Sequence, residues 1–324
     1  MTASIHPFET LTPDLVMDAL ASVGLYGDGR LMALSSYENR VYQAHLEDGR
    51  AVVAKFYRPQ RWTDQQILEE HRFSTELMAA EIPVVGPLSL QGSTLNHFGD
   101  FAFSVSPRRG GRAPELDDPD VLEWVGRFLA RIHAVGAQRP FVSRPALDLA
   151  SFGIEPREWL LAHDQVPLDV QALWARTSQQ AIDVIAACPF FAGASQAREA
   201  EPIRQLRLHG DCHPGNLLWT DAGPHFVDLD DAAMGPAIQD LWMLMDGGAA
   251  QRAALLEGYA EFRDLDAGEL ALIEPLRIMR QVHHAGWITA RWSDPAFPRA
   301  FPFAAEPRWW EEHCDDLMRW LEAD

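Results

Sequence analysis

The stretch LHGDCHPGNLLW, residues 208–219, is the feature that most constrains what this chain can fold into. It places two His, one Asp, one Cys, a Pro-Gly turn and one Asn between apolar residues. Polar residues and a turn between two apolar runs are typical of a loop held by buried elements on both sides. The stretch therefore indicates a metal site, a catalytic loop or a polar turn.

Spacing within the stretch favours a catalytic loop. His209, Asp211 and Asn216 fit the pattern H-x-D-x-x-x-x-N, which is the spacing of the kinase catalytic loop. Asp228 ends the apolar run HFVD, and phosphotransferases hold Mg²⁺ with a carboxylate at such a strand end. Amide and carboxylate oxygens suit Mg²⁺, so Asn216 and Asp228 are the candidate metal ligands.

The same stretch allows a zinc site, with His209, Asp211, Cys212 and His213 as ligands. Four ligands in five consecutive positions fit poorly around one tetrahedral ion, and no second His/Cys cluster lies nearby in the sequence. We expect His209 and His213 to brace the loop through backbone hydrogen bonds and Cys212 to fill space. A metal-dependent hydrolase stays an alternative.

Lys55 stands inside the apolar, strand-like run AVVAKFY. A lysine in such a run either has an anionic partner or reaches the surface from an edge strand. Glu69 and Glu70 on the next predicted helix are available partners, as the helix Glu is for the strand Lys of kinases. Lys55, the loop within residues 208–219 and Asp228 therefore all indicate phosphoryl transfer.

Two further carboxylates have simpler interpretations. We interpret Asp230 as a loop-capping residue, and a position that reaches the metal region is the alternative. Asp240 lies near a predicted helix start, where a carboxylate is favourable without any function, and bracing of the catalytic loop is the alternative.

Apolar spacing divides the chain into a β-rich first part and a mostly helical second part. Residues 107–114 are rich in Pro and Gly, which places the expected boundary between lobes 1–107 and 108–324. The expected fold class is α/β, in the α+β arrangement. In the first part we expect a helix from Pro13, with Thr12 as its cap and an end near Gly24, and then a hairpin over 40–46 and 51–57. A helix that begins with a Thr63–Gln66 capping box follows, and then a second β pattern that ends at Pro107. In the helical part we expect short strands at LRLHG, NLLW and HFVDLD.

Composition excludes several partners. The formal net charge is −20, from 27 basic and 47 acidic residues, so nucleic acid and anionic membranes are poor partners. The three cysteines are too few and too far apart for a disulfide framework, and the N-terminal residues lack a signal-peptide pattern. We expect a cytoplasmic protein that acts as a monomer.

These motifs together resemble those of the aminoglycoside phosphotransferase-like kinases, whose brace is HGDxHxxN followed by a strand-end Asp. The chain is most similar to their stress response kinase A branch, a group of bacterial Ser/Thr protein kinases. The segments that carry this resemblance are SYENRVYQ, VAKFYRPQRWT, QILEEH, LRLHGDCHPGNLLW, FVDLDDA, GPAIQDLWML, IEPLR and RWSDPAFP. The resemblance implies a two-lobed protein kinase-like fold with ATP and Mg²⁺ between a β-rich and a helical lobe.

The resemblance also implies a role for each catalytic position. Asp211 would be the catalytic base for a protein Ser/Thr hydroxyl, while Asp228 would serve catalysis by binding Mg²⁺ together with Asn216. Lys55 would contact the ATP phosphates and would be held by Glu70.

The nucleotide-covering residues follow from the same resemblance. Ser36, in SSYENR, would cover the phosphates in place of a glycine-rich loop. Ser104 and Ser106 would mark the backbone beside adenine.

Two other functions stay open. A small-molecule kinase would act on an aminoglycoside, choline or a similar alcohol, and an acidic site would suit a cationic acceptor. A pseudokinase would bind nucleotide without chemistry, although Lys55, Asp211, Asn216 and Asp228 are all present. Between Asp228 and Asp240 there is no Ser, Thr or Tyr, so a phosphorylated switch is not expected there.

Overall fold

The computed structural model describes residues 6–192 and 203–323. The strands are β1 (Gly27–Ala33), β2 (Arg40–Leu46), β3 (Ala51–Phe56), β4 (Asn96–Phe98), β5 (Phe101–Pro107), β6 (Leu206–Arg207), β7 (Leu217–Thr220), β8 (Gly223–Phe226) and β9 (Met234–Gly235). The α-helices are α1 (Pro13–Ser22), α2 (Asp64–Ala79), α3 (Pro119–Gly136), α4 (Glu155–Ala162), α5 (Leu168–Ala187), α6 (Ala249–Ala260), α7 (Ile273–Ala290), α8 (Ala296–Ala300) and α9 (Pro307–Ala323).

The chain forms two compact units. Among the described residues, the first comprises 6–145 and 205–265, and the second comprises 146–192, 203–204 and 266–323. The predicted boundary between residues 107 and 108 divides the chain by composition, and it stays a prediction.

The sheet of the first unit has the strand order β1-β2-β3-β5-β4, and all its pairs are antiparallel. Val52, Ala54 and Phe56 of β3 are buried in a core that includes α1 and β5. Because side chains alternate along a strand, Lys55 lies on the other face of β3. Lys55 pairs in register with Val41 on one side and with Ser104 on the other.

Helix α2 begins with the predicted capping box. Thr63 accepts a hydrogen bond from the backbone N–H of Gln66, whose side chain accepts from the backbone N–H of Thr63. The helix buries apolar residues and also three ionisable ones, Glu69, Glu70 and His71. Ionisable groups are rarely buried without partners, so this face of α2 belongs to a polar site rather than to an apolar core.

The rest of the first unit is a helix pair with two small β pairs. A side chain at Gly126 of α3 would meet the Leu255 carbonyl oxygen at 2.2 Å, and one at Gly258 of α6 would meet the Glu123 carbonyl oxygen at 2.1 Å. Glycine is therefore required where the two backbones touch. The pairs β6–β9 and β7–β8 carry the loops of the candidate site.

The second unit is helical and has its own core. Trp174 of α5 packs edge to face on Trp310 of α9, and its indole N–H donates to His313 Nδ1 at 3.3 Å. Burial lowers the pKa of His313 to about 4. The buried residues of this core are Leu160, Val166, Val170, Trp174, Val282, Ala285, Trp310 and Cys314.

Most predicted elements are confirmed, although the two-residue strand β9 was not predicted. Strand β1 was not predicted, because GDGRLMA has the composition of a turn and the strand lies at a sheet edge with most side chains exposed. Strand β8 ends at Phe226, two residues before Asp228. Among residues 6–192 and 203–323, no helix is both long and apolar enough to cross a membrane.

Candidate active site

The catalytic loop, defined here as residues 208–216, is anchored by one buried carboxylate. Asp240 accepts hydrogen bonds from the backbone N–H groups of His209 and Gly210, each at 2.8 Å, and its Oδ2 lies 3.0 Å from His133 Nε2. Gly210 has φ 90°, and a side chain there would meet the Asp231 carbonyl oxygen at 2.0 Å. The bracing role of Asp240 is therefore confirmed, and only glycine fits at position 210.

The hydrogen bonds of His209 and His213 confirm the bracing role of these histidines. His209 Nε2 donates to the Val227 carbonyl oxygen at 2.9 Å, which ties the loop to the segment before Asp228. His213 Nδ1 accepts from the Gly215 N–H at 3.0 Å. Cys212 is fully buried, and burial raises the pKa of its thiol, so this side chain fills space.

Asn216 links the end of the catalytic loop to Asp211 in its middle and to the segment before Asp228. Its Nδ2 donates to the Asp211 carbonyl oxygen at 2.9 Å, and its own carbonyl oxygen accepts from the Val227 N–H at 3.1 Å. Because the amide nitrogen is used as a donor, the side-chain oxygen of Asn216 is the atom that can bind a cation. In the part of the chain that the structure describes, no three His, Cys, Asp or Glu side chains form a ready-made metal cluster.

The acidic segment, defined here as Asp228–Asp231, meets Lys55. Asp228 has the left-handed dihedral angles φ 60° and ψ 67°, an uncommon state for a non-glycine residue that is concentrated at functional sites. Lys55 Nζ lies 2.7 Å from Asp228 Oδ1 and 3.1 Å from Asp230 Oδ1. The Lys55 side chain is only 17% exposed and β3 lies inside the sheet, so the alternative of an edge-strand surface lysine is wrong.

Neighbouring carboxylates keep the Lys55 ammonium protonated. Burial by itself lowers the pKa of Lys55, but the carboxylates of Asp228 and Asp230 outweigh it and raise that pKa well above its ordinary value. Lys55 is also the only lysine among the 324 residues, whereas 26 positions carry arginine. An ammonium in this position is therefore charged and chemically unique in the chain.

Asp230 is not the loop-capping residue that the sequence suggested. Its side chain is 5% exposed, and it contacts Lys55, Arg61 and Asn39. Burial by itself raises the pKa of this carboxyl, but Lys55, Arg61 and Arg144 outweigh burial and hold it well below its usual range. The interpretation was wrong because side-chain partners distant in sequence, and no backbone turn, determine the position of Asp230.

The two glutamates of α2 have separate roles. Glu69 accepts hydrogen bonds from three successive backbone N–H groups, those of residues 142–144, at 2.6 to 2.8 Å. Glu70 accepts from Ser74 Oγ at 2.9 Å, and burial raises its pKa although Lys55 opposes this. Of the described carboxylates, those of Asp228 and Asp230 are the ones within ion-pair distance of Lys55, so the predicted direct pairing with Glu70 is absent.

A chain of hydrogen bonds begins at Tyr57, next to Lys55, and continues through His71. Tyr57, whose ring centroid is 5.3 Å from Lys55 Nζ, has its hydroxyl 2.8 Å from His71 Nε2 and 3.0 Å from Ser104 Oγ. His71 Nδ1 lies 2.9 Å from Thr94 Oγ1. Burial, together with the charge of Lys55, lowers the pKa of His71 to about 3, so its ring is neutral.

The predicted nucleotide-covering residues occupy two places in the first unit. Ser36 lies in the turn between β1 and β2, where its hydroxyl donates to the Asn39 carbonyl oxygen at 3.0 Å. Ser104 lies beside Lys55 in register and is buried. Ser106 pairs with Val53 and is half-buried. Their contacts with a nucleotide stay predictions.

Sequence reasoning missed Asn39, Arg61 and the hydrogen-bonded chain through His71. The segment VAKFYRPQRWT carries three cations in a chain of net charge −20, and this local excess of positive charge was a usable signal. It indicates that several carboxylates gather near β3, but it cannot say which carboxylate meets which cation.

The arrangement joins a strand lysine, an anchored loop with an aspartate and an asparagine, and a carboxylate after the next strand. A kinase fold uses these parts to bind phosphate, a divalent cation and a hydroxyl. The family model of the phosphotransferase enzyme family matches residues 31–276. The chain belongs to this phosphotransferase family.

Curated relatives and solved structures agree with this assignment. The chain is 45% identical to stress response kinase A of Escherichia coli K12, over 96% of this chain and 92% of the relative. It is 43% identical to the serine/threonine protein kinase RdoA of Salmonella typhimurium, over 98% and 95% of the two chains. The amicoumacin kinase hAmiN, solved with AMP-PNP, Ca²⁺ and Ami, has a TM-score of 0.71 at 19% identity, over 94% and 93%. The antiparallel sheet followed by helices is thus a kinase-like α/β fold.

Proposed function

We propose that this phosphotransferase uses ATP and Mg²⁺ and transfers the γ-phosphoryl group to a Ser or Thr hydroxyl of a protein. The observation that carries the proposal is the 2.7 Å contact between Lys55 Nζ and Asp228 Oδ1. Kinases use a strand lysine for the phosphates and a carboxylate of this kind for the metal, so these two groups must lie side by side. The AMP-PNP and Ca²⁺ bound by the amicoumacin kinase, which has the same fold, support the nucleotide part.

The donor atoms fit Mg²⁺. The side-chain oxygen of Asn216 and the carboxylate of Asp228 are hard oxygen ligands, and a magnesium ion in such a site also takes oxygens from water and phosphate. A bound Mg²⁺ would neutralise charge that develops on the transferring phosphoryl group.

Asp211 would act as the general base. In the proposed reaction the acceptor oxygen forms a bond to the γ-phosphorus, the bond from that phosphorus to the β,γ-bridging oxygen breaks, and the acceptor proton moves to the Asp211 carboxylate. The backbone around Asp211 is fixed by Asn216 on one side and by the Asp240 anchor on the other. Lys55 would orient and neutralise the phosphates, so the chain contributes alignment and charge rather than covalent chemistry.

The observations constrain the phosphoryl acceptor less than they constrain the nucleotide. A protein hydroxyl is favoured by relatives at 45% and 43% identity that are named as a stress response kinase and as a serine/threonine protein kinase. A small-molecule alcohol is the second candidate, because the amicoumacin kinase shares the fold.

The test is incubation with ATP labelled at its γ-phosphate and Mg²⁺, with a mixture of protein substrates in one set and aminoglycosides and choline in another. We expect label in protein Ser and Thr residues. Label in small molecules alone would replace the protein acceptor with the second candidate.

Replacement of Asp211 by Asn tests its role as base. We expect turnover to fall by about 10²- to 10⁴-fold, the usual contribution of a general base, with nearly unchanged affinity for ATP. Asp221→Asn, at the exposed turn between β7 and β8, is the matched control and should transfer at the normal rate. Normal turnover in the Asp211 variant would remove Asp211 as the base.

A further inference from the structure

Asp230 divides its two carboxylate oxygens between two sets of partners. Oδ1 faces Lys55 Nζ at 3.1 Å. Oδ2 accepts from Arg61 Nη1 and from Asn39 Nδ2, the latter at 3.1 Å. Lys55 can therefore leave Asp230 without disturbing the contacts of the other oxygen.

Contacts other than the one with Asp230 also hold Arg61 in its position. Its second terminal nitrogen, Nη2, pairs with Asp231 Oδ1, and its guanidinium lies 5.1 Å from the centroid of the Trp62 ring. Burial by itself lowers the pKa of Arg61, but Asp231 and Asp230 outweigh it and raise that pKa, so the charge on Arg61 is permanent.

The backbone under Asp230 is fixed as well. Arg144 donates through Nη2 to the Asp230 carbonyl oxygen and through Nε to the Ala232 carbonyl oxygen, the latter at 2.8 Å. The Asp230 side chain is consequently held in place when the Lys55 ammonium moves away. A buried carboxylate that loses its cation is strongly unfavourable unless another cation remains beside it.

We propose that Arg61 is a positioning residue that supplies the lasting counter-charge on Asp230 and so frees Lys55 to bind phosphate. This inference rests on the proposed function, because Lys55 has to leave Asp230 only if it binds the phosphates of a nucleotide. Without Arg61, Lys55 is the described cation that still contacts the Asp230 carboxylate, because Arg144 bonds to the Asp230 backbone carbonyl, and Lys55 is retained there. The fraction of molecules with Lys55 available falls, and nucleotide affinity falls with that fraction.

The unique lysine allows a direct test. An ATP analogue that carries an acyl group on its terminal phosphate transfers this group to a nearby amine: the amine nitrogen bonds to the acyl carbon, the acyl–phosphate bond breaks, a proton is released and ATP leaves. Because Lys55 is the only lysine, intact mass and peptide mapping report on this one side chain. The proteins compared are wild type, Arg61→Gln, Arg61→Lys and the double variant Arg61→Gln with Asp230→Asn.

We expect Arg61→Gln to acylate Lys55 at least 10-fold more slowly and to bind the analogue about 10-fold more weakly. Arg61→Lys should recover part of both. Asp230→Asn should restore acylation in the Arg61→Gln background, because a neutral amide neither holds the ammonium nor needs a counter-charge. Arg50→Gln, which removes an exposed arginine paired with Asp48, is the matched control and should label as wild type does.

Thermal denaturation shows whether each variant is folded. If Arg61→Gln fails to fold, Arg61→Lys with and without Asp230→Asn gives the same comparison. Wild-type labelling rates in Arg61→Gln, or no recovery in the double variant, would overturn the role of Arg61. A wild-type protein that neither binds the analogue nor acylates Lys55 would instead contradict the proposed function.

Discussion

The catalytic loop and the acidic segment follow each other along the chain and use different contacts. The catalytic loop is held by hydrogen bonds to its backbone, from Asp240, from Asn216 and through His209 to Val227. The acidic segment is held mainly by ion pairs of its side chains with Lys55 and Arg61, and Arg144 adds a hydrogen bond to the Asp230 carbonyl oxygen.

This difference matches what the proposed function would require of each segment. A general base needs a fixed position, and hydrogen bonds to backbone groups give a geometry that a ligand does not compete for. A metal-binding carboxylate must exchange a protein cation for a bound one, and ion pairs allow this exchange when another cation remains nearby. The comparison predicts that the two segments respond differently when one contact is removed.

The largest effect is expected at the anchor of the catalytic loop. In Asp240→Asn the amide group can accept from only one side, so one of the backbone N–H groups of His209 and Gly210 loses its acceptor inside the protein. We expect the free energy of unfolding to fall by about 2–4 kcal/mol, with slower phosphoryl transfer, as measured by urea denaturation and turnover. Asp246→Asn, at a nearby exposed position, is the control. A loss below about 0.5 kcal/mol would contradict the anchor.

An effect of intermediate size on the free energy of unfolding is expected when the pH is lowered, because the ring of His71 is buried and neutral. The folded-state pKa of His71 is lowered to about 3, while the unfolded chain binds a proton near pH 6.5. Its contribution to stability is therefore complete above pH 6.5 and is lost as the pH falls toward 3, at up to about 1.4 kcal/mol per pH unit. Between pH 6.5 and 5 this amounts to about 2 kcal/mol, measured by denaturation at a series of pH values. In His71→Asn the stability should depend less steeply on pH over this range, and an unaltered slope would argue against a buried neutral ring.

The smallest effect on stability is expected at Lys55. In Lys55→Met the buried Asp230 keeps Arg61 and Asn39, and Asp228 is half exposed to solvent. We expect a loss of about 1 kcal/mol in urea denaturation together with loss of nucleotide binding. A destabilisation as large as that of Asp240→Asn would show that the two segments do not differ as proposed.

Much of the fold was predictable because its signals are local. The capping box of Thr63 and Gln66, the start of α1 at Pro13 and the hairpin of β2 and β3 depend on neighbouring residues, and all are confirmed. Strand β1 was missed because its pairing with β2, rather than its own composition, determines its conformation.

The candidate site was predictable in part for the same reason. The spacing of His209, Asp211 and Asn216 is a local pattern, and the structure explains it through the bond from Asn216 to the Asp211 carbonyl oxygen. The partner of Lys55 was not predictable, because Glu70 and Asp228 are both plausible in chemistry and only their distances decide between them.

The residue types of the site, their order and the family to which the chain belongs could all be predicted from the amino-acid sequence, since these depend on spacing along the chain. The tertiary structure decided which charges meet: Lys55 with Asp228 and Asp230, and Arg61 with Asp230 and Asp231. The physical reason is that ion pairs depend on distance and burial, and both arise when segments about 170 residues apart pack together.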